Sequence, residues 1–190
     1  MVEEVIEMAE IGASCSRRFL RGEAITLEEF IVKYSDALVR FAYGFVRDAA
    51  AAEDVAADSI ALFYMKAKHF PDEQHMRAYL YKIGRSRAID YLRHHKHQVP
   101  LEDVEAVLGT GSPEQDTIKK ERDAVVYLCL LRLPEQYRTV LQLSYLEGFP
   151  VKEVCSIMKK SSKQVYNLLA RAKASLKAEL EKEGISREDL

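Results

Sequence analysis

FPVKEVCSIMKKSSKQVYNLLARAKASL, residues 149–176, carries two amphipathic segments joined by a polar turn. In the first, Val151, Val154, Cys155 and Met158 form one apolar face of a short helix. Lys159 to Ser161 make the turn, and the Ser161 hydroxyl can cap the helix that follows. In that second helix, at roughly 100° per residue, Val165, Leu168, Leu169, Ala172 and Leu176 fall within about 100° of arc and must face a core. The opposite side presents Lys163, Asn167, Ala170, Arg171 and Ala174, with Gln164 and Tyr166 on the flanks. Such groups donate to phosphates and base edges in the major groove of DNA, and small alanines let the backbone approach. An idle surface mixes charge signs, yet no carboxylate occurs between Ser156 and Ala178. The pattern is a helix-turn-helix. Its candidate DNA contacts are Ser161, Ser162, Lys163, Gln164, Tyr166, Asn167, Arg171 and Lys173.

Upstream, the helical period continues. Leu133-Pro134 opens a helix, because proline fits a first turn where its missing N–H costs nothing, and Gly148 closes it as a left-handed cap. Asp116 to Arg132 reads as another helix. From Leu27 the apolar positions Phe30, Ile31, Tyr34, Leu38, Phe41, Ala42 and Phe45 have three-and-four spacing. Further helices are expected over about Ala51–Lys68, stopping near Pro71, and about Met76–His95, before Pro100. No strand pattern or internal repeat is present. The fold class is all-α, with two small helical domains joined by a flexible acidic linker.

Charge supports that division. The 190 residues hold 28 Lys and Arg against 30 Asp and Glu, a net charge of -2 that argues against a protein coating nucleic acid unaided. Between His75 and Gln98, six cations face Asp90 alone, a balance of +5; between Lys152 and Lys177, seven face Glu153 alone, a balance of +6. Separating them, Leu101 to Asp116 holds five carboxylates, no cation, and Gly109, Gly111, Ser112 and Pro113, the composition of an acidic tether. Two basic modules on a tether suggest one polyanion gripped at two places. Three scattered cysteines, Cys15, Cys129 and Cys155, suggest neither a disulfide framework nor a zinc site. The cluster His94, His95 and His97 reads as basic side chains extending the first module, so no metal site is expected. The longest apolar run, Ala124 to Leu131, is far short of the roughly 20 residues of a membrane span, and the acidic start of the chain is wrong for a signal peptide. A cytoplasmic protein without membrane insertion is expected.

Three stretches resemble a known family in the correct order. Leu133 to Leu176 looks like region 4 of bacterial sigma-70 family RNA polymerase sigma factors, particularly the small extracytoplasmic-function (ECF) subgroup. AAEDVAADSIALFYMK, Ala51 to Lys66, resembles regions 2.1 to 2.2, and MRAYLYKIGRSRAIDYLRHHK, Met76 to Lys96, resembles regions 2.3 to 2.4. The implied organisation is an N-terminal acidic extension over 1–24, region 2 over 25–98, a linker over 99–115, region 4 over 116–183 and a tail over 184–190.

The resemblance implies a dissociable subunit that binds core RNA polymerase at the clamp and flap, recognises the -10 and -35 promoter elements and directs transcription initiation. It implies no enzyme activity of its own, no cofactor, and an anti-sigma factor as a further partner. By resemblance Glu53, Asp54, Asp58 and Ile60 dock on the polymerase clamp. Physically, the carboxylates can pair with arginines on a partner helix, and Ile60 and Tyr64 are expected as exposed apolar groups beside them. Ala57 stands where the family commonly has glutamine. The candidate -10 contacts are His69, Phe70, His75, Arg77, Lys82, Arg85, Ser86 and Arg93. Within this set Lys82, Arg85 and Arg93 are expected to form a cationic ridge, and His69, Phe70 and His75 to stack on an unpaired base. Ser86 stands where the family often has asparagine. The alternative is a free-standing helix-turn-helix transcription regulator, which would retard a specific duplex without polymerase.

Overall fold

The computed structural model describes residues 26–66, 70–95 and 117–185, with side chains over 117–122 left aside. The expected linker, N-terminal extension and tail lie outside or almost outside these residues. Two compact units divide the chain between Gly109 and Thr110. Among the described residues there are seven α-helices, one π-helical segment and no strand.

The N-terminal unit contains α1 (Leu27–Val46), α2 (Ala49–Lys66) and α3 (Glu73–His94). Each start has a side-chain acceptor for first-turn N–H groups that lack helical partners. Thr26 and Glu29 form a reciprocal capping box, with Glu29 N donating to Thr26 Oγ1 at 3.1 Å and Thr26 N donating to Glu29 Oε2 at 2.8 Å. Asp48 accepts from Ala51 N at 2.7 Å, and Asp72 from His75 N at 2.8 Å. The Asp72 cap starts α3 three residues ahead of the expected Met76. Lys33 Nζ, 2.9 Å from Glu73 Oε1, and the Tyr34 hydroxyl, donating to the same oxygen at 3.2 Å, tie α1 to that start.

Each of the three helices packs against the other two. Phe30 stacks on Phe63 at 4.9 Å, and Phe41 meets Tyr81 edge-on at 5.0 Å, so aromatic rings fill the centre. Gly84 lets α3 approach α1: a Cβ there would sit 2.9 Å from Leu38 Cδ1, and Leu38 is fully buried. Ile31, expected on the buried face, is exposed at its edge.

The C-terminal unit contains α4 (Thr117–Arg132), α5 (Glu135–Leu141), the π segment Gln142–Leu146, α6 (Val151–Met158) and α7 (Ser162–Lys182). Pro134 stands at the cap of α5, one residue before its first turn. Gly148 is left-handed (φ 67°), as expected, and lets Phe149 N donate back to Leu143 O at 2.9 Å. The core takes Leu130 and Leu131 from α4, Val140 and Leu141 from α5, Leu143, Phe149, Val154, Ile157 and Met158, and Val165 and Ala172 from α7. Arg138 is buried too, at 5% exposure, and its Nη1 donates to Leu131 O at 3.1 Å and Leu133 O at 2.8 Å. It thereby satisfies carbonyls at and just beyond the C-terminal end of α4, where a positive charge also suits the helix dipole. Arg132 pairs with Glu183 and holds the end of α4 to the end of α7; that carboxylate raises the pKa of the Arg132 guanidinium.

Candidate functional site

The turn of the helix-turn-helix depends on two local devices. Lys159 adopts a left-handed conformation (φ 53°) and ends α6; Ser161 starts α7 through a capping box. Gln164 N donates to Ser161 Oγ at 3.3 Å, and Ser161 N donates to Gln164 Oε1 at 2.9 Å. Gln164 therefore spends its carbonyl oxygen on the cap, and what it can offer DNA is its amide N–H group. The Ser162 hydroxyl lies 3.7 Å from Cys155 Sγ, across the turn.

Beyond the cap, α7 separates its faces as the spacing predicts. Val165 and Ala172 are buried, Leu168, Leu169 and Leu176 half-buried, and Lys163, Tyr166, Asn167, Ala170, Arg171, Lys173 and Ala174 exposed. The exposed cations sit on a face free of carboxylates, so their field is not cancelled locally. Lys173 Nζ lies 5.0 Å from the centroid of the Tyr145 ring, which the π segment supplies.

On α3 the expected ridge is narrower than its candidates. Lys82, Ser86 and Arg93 are exposed on one line, and Arg93 Nη2 pairs with Asp90 at 3.2 Å. Arg85 is half-buried, with its Nε out of reach of solvent, so it does not stand beside Lys82 as a free ridge cation. Arg77 is half-buried and lies roughly 140° around the helix from Lys82, because five residues advance the helix by that much beyond one full turn. His75 turns toward its own cap: Nδ1 is 2.7 Å from Asp72 Oδ1, and the hydrogen bonds from His75 to Asp72 hold that carboxyl below its ordinary pKa of 3.8. Phe70 stacks on Phe63 at 5.8 Å and touches Tyr79 at 5.5 Å, so one ring face is taken by the core. His69 lies outside the described residues. His94 and His95 each place Nδ1 against a carbonyl four residues earlier, Asp90 O at 2.7 Å and Tyr91 O at 3.1 Å.

On α2, Glu53, Asp54, Ala57, Asp58, Ala61, Tyr64 and Met65 are exposed on one side of the helix. Ile60 corrects the sequence reading. It is 2% exposed, because α2 is wedged between α1 and α3 and its buried arc runs from Val55 through Ser59 and Ile60 to Phe63. The apolar groups beside the carboxylates are instead Tyr64 and Met65, the latter 82% exposed.

An acidic, partly apolar face and two cationic faces are distributed over the two helical units. Residues 30–98 match the family described as Sigma-70 region 2, and residues 123–176 match Sigma-70, region 4. The chain belongs to the sigma-70 family, in its ECF subgroup. It is 28% identical to the ECF RNA polymerase sigma factor SigM of Bacillus subtilis over 155 residues, covering 81% of this chain and 94% of that one. To the RNA polymerase sigma-H factor of Pseudomonas aeruginosa it is 26% identical over 170 residues, covering 84% and 88%. Among solved structures, the sigma factor RpoE of Bartonella quintana, in complex with the anti-sigma factor NepR, shares the fold with a TM-score of 0.59 at 16% identity, covering 81% of this chain and 96% of that one. CnrH in complex with the cytosolic domain of CnrY gives 0.59 at 21% identity, covering 90% and 98%. As a sigma factor, the chain has its region 2 in the bundle α1–α3 and its region 4 in the unit that ends in the helix-turn-helix. No described helix is long and apolar enough to cross a membrane.

Proposed function

We propose that this sigma factor binds core RNA polymerase through the exposed acidic face of α2, reads the -10 element with α3 and the segment before it, and places α7 in the major groove of the -35 element. The observation that carries the reading is the outward face of α7: Lys163, Asn167 and Arg171 project from a capped helix with no carboxylate among them. Glu53, Asp54 and Asp58 are the groups offered to arginines of the polymerase clamp, and Tyr64 and Met65 supply apolar contact; Ile60 supports that face from within. At the -10 strand, Lys82, Ser86 and Arg93 follow the backbone, His69, Phe70 and His75 line the base-holding segment, and Arg77 and Arg85 brace the helix. Region 4 also meets the polymerase flap.

A net charge of -2 fits this division of labour. Each module alone grips DNA weakly, and polymerase raises the effective concentration of one once the other is engaged. The factor acts in the cytoplasm, catalyses nothing itself, and is held inactive by an anti-sigma partner; the complex of the structural relative RpoE with the anti-sigma factor NepR supports that last point. The test is run-off transcription with core polymerase and the pair Lys163→Ala and Arg171→Ala. Each lost base or phosphate contact is worth about 1–3 kcal/mol, so initiation from the cognate promoter should fall by at least tenfold while polymerase binding persists. Unchanged transcription from the doubly substituted factor would remove α7 from the promoter.

A further inference from the structure

The π segment Gln142–Leu146 leaves Tyr145 and Leu146 each 56% exposed. Such segments recur at functional sites because the added residue turns side chains out of the helical register. Tyr145 lines a cleft of about 550 Å³ together with Phe149, Pro150 and, from α7, Tyr166, Ala170 and Lys173. Tyr166 is 60% exposed. At roughly 100° per residue, Tyr166, Ala170 and Lys173 run along α7 about 70° to one side of the line of Lys163, Asn167 and Ala174. A helix lying in a major groove has a phosphate strand along each flank, so this line borders one strand rather than the base edges.

We propose that the cleft is a clamp for the DNA backbone: Tyr145 holds the Lys173 ammonium toward a phosphate beside the -35 element, and the Tyr166 ring covers the adjoining deoxyribose. The inference rests on the reading of α7 as the -35 helix. A lysine head on a flexible stem loses rotamer freedom when it meets a phosphate, and a ring 5.0 Å beneath it limits that freedom beforehand. The ring occupies one side of the ammonium and leaves N–H groups for phosphate oxygens. Because sugar and phosphate carry no base identity, the clamp adds affinity and register for every sequence alike. Tyr145 is thus a positioning residue acting through Lys173.

The experiment measures complexes of the full chain, core polymerase and a promoter fragment across a salt series, for wild type, Tyr145→Ala, Tyr145→Phe, Lys173→Ala and the Tyr145→Ala, Lys173→Ala pair. Lys173→Ala should lower the slope of log affinity against log salt by about 0.9, the signature of one lost phosphate contact. Tyr145→Ala should weaken the complex about two- to fivefold, add nothing further once Lys173 is gone, and leave polymerase binding intact. Tyr145→Phe should match wild type, since the ring and not the hydroxyl holds the cation. Tyr145→Ala having the same effect with and without Lys173, or none at all, overturns the proposal. Arg171→Ala in the same series separates the two levels: if it weakens the complex while the cleft variants do not, only the clamp fails; if it too is silent, α7 does not read DNA and the clamp falls with that reading.

Discussion

Arg138→Met removes a buried guanidinium while keeping most of its bulk. In the structure its Nη1 donates to the carbonyls of Leu131 and Leu133 at 3.1 and 2.8 Å, and both residues are buried. The methionine offers no donor, so two carbonyls around the end of α4 lose a partner that water cannot readily replace. Each hydrogen bond lost from a buried carbonyl costs about 1–3 kcal/mol; allowing for relaxation, the C-terminal unit should lose about 2–4 kcal/mol. At 1.4 kcal/mol per decade, this is roughly a 30- to 1000-fold drop in hydrogen-exchange protection. Residue-resolved exchange over α5 to α7 is the appropriate assay, because a chain of two units need not melt in a single step. Arg138→Lys, which reaches fewer acceptors, should fall between wild type and Arg138→Met. A change under threefold, or an equal change in α1 to α3, would show that the buried guanidinium does not secure the end of α4.

Glu53→Lys with Asp58→Lys should weaken binding to core polymerase at least tenfold, measured by competition against another sigma factor, yet leave the melting of the N-terminal unit unchanged, since both side chains are exposed. Gly84→Val forces a Cβ to 2.9 Å from the buried Leu38 Cδ1 and should destabilise the α1–α3 bundle by about 1–3 kcal/mol in urea denaturation. Asp72 has a folded pKa held below 3.8 by its hydrogen bonds from His75, so its contribution is present above that pH and is lost as pH falls through the folded value. Asp72→Asn can still cap α3 but carries no charge; the gap in urea midpoint between the two proteins should be larger at pH 6 than at pH 3, and a gap independent of pH would contradict the cause.

How much of this was legible in the sequence varies with the physics involved. The helix-turn-helix could be read almost residue by residue, because α7 buries one arc, Ser161 is a good cap and Gly148 suits a left-handed turn. The same arithmetic misjudged Ile60: α2 is buried on two sides, and a wide buried arc cannot be told from a narrow one when alanines fill it. Asp72 was a readable cap signal, an acidic residue just before a helical period, and the start of α3 was nevertheless expected later. Arg85 was expected in the cationic ridge beside Lys82 and Arg93, but a long apolar stem lets a residue on the helix flank lie half-buried, as Arg85 does. Arg138 looked like any surface cation in an amphipathic helix, and the two carbonyls it reaches at the end of α4 are far enough away in the chain pattern to leave no local signal. The π segment has no composition of its own, so the outward turn of Tyr145 could not be foreseen.

The central claim is that two small basic helical modules act together only when mounted on a polymerase. Mapping transcript starts from core enzyme on a library of genomic fragments, with and without the chain, tests it most directly. The chain should co-purify with core enzyme and create a discrete set of starts preceded by two shared elements. A chain that neither joins core enzyme nor alters where transcripts begin would contradict it.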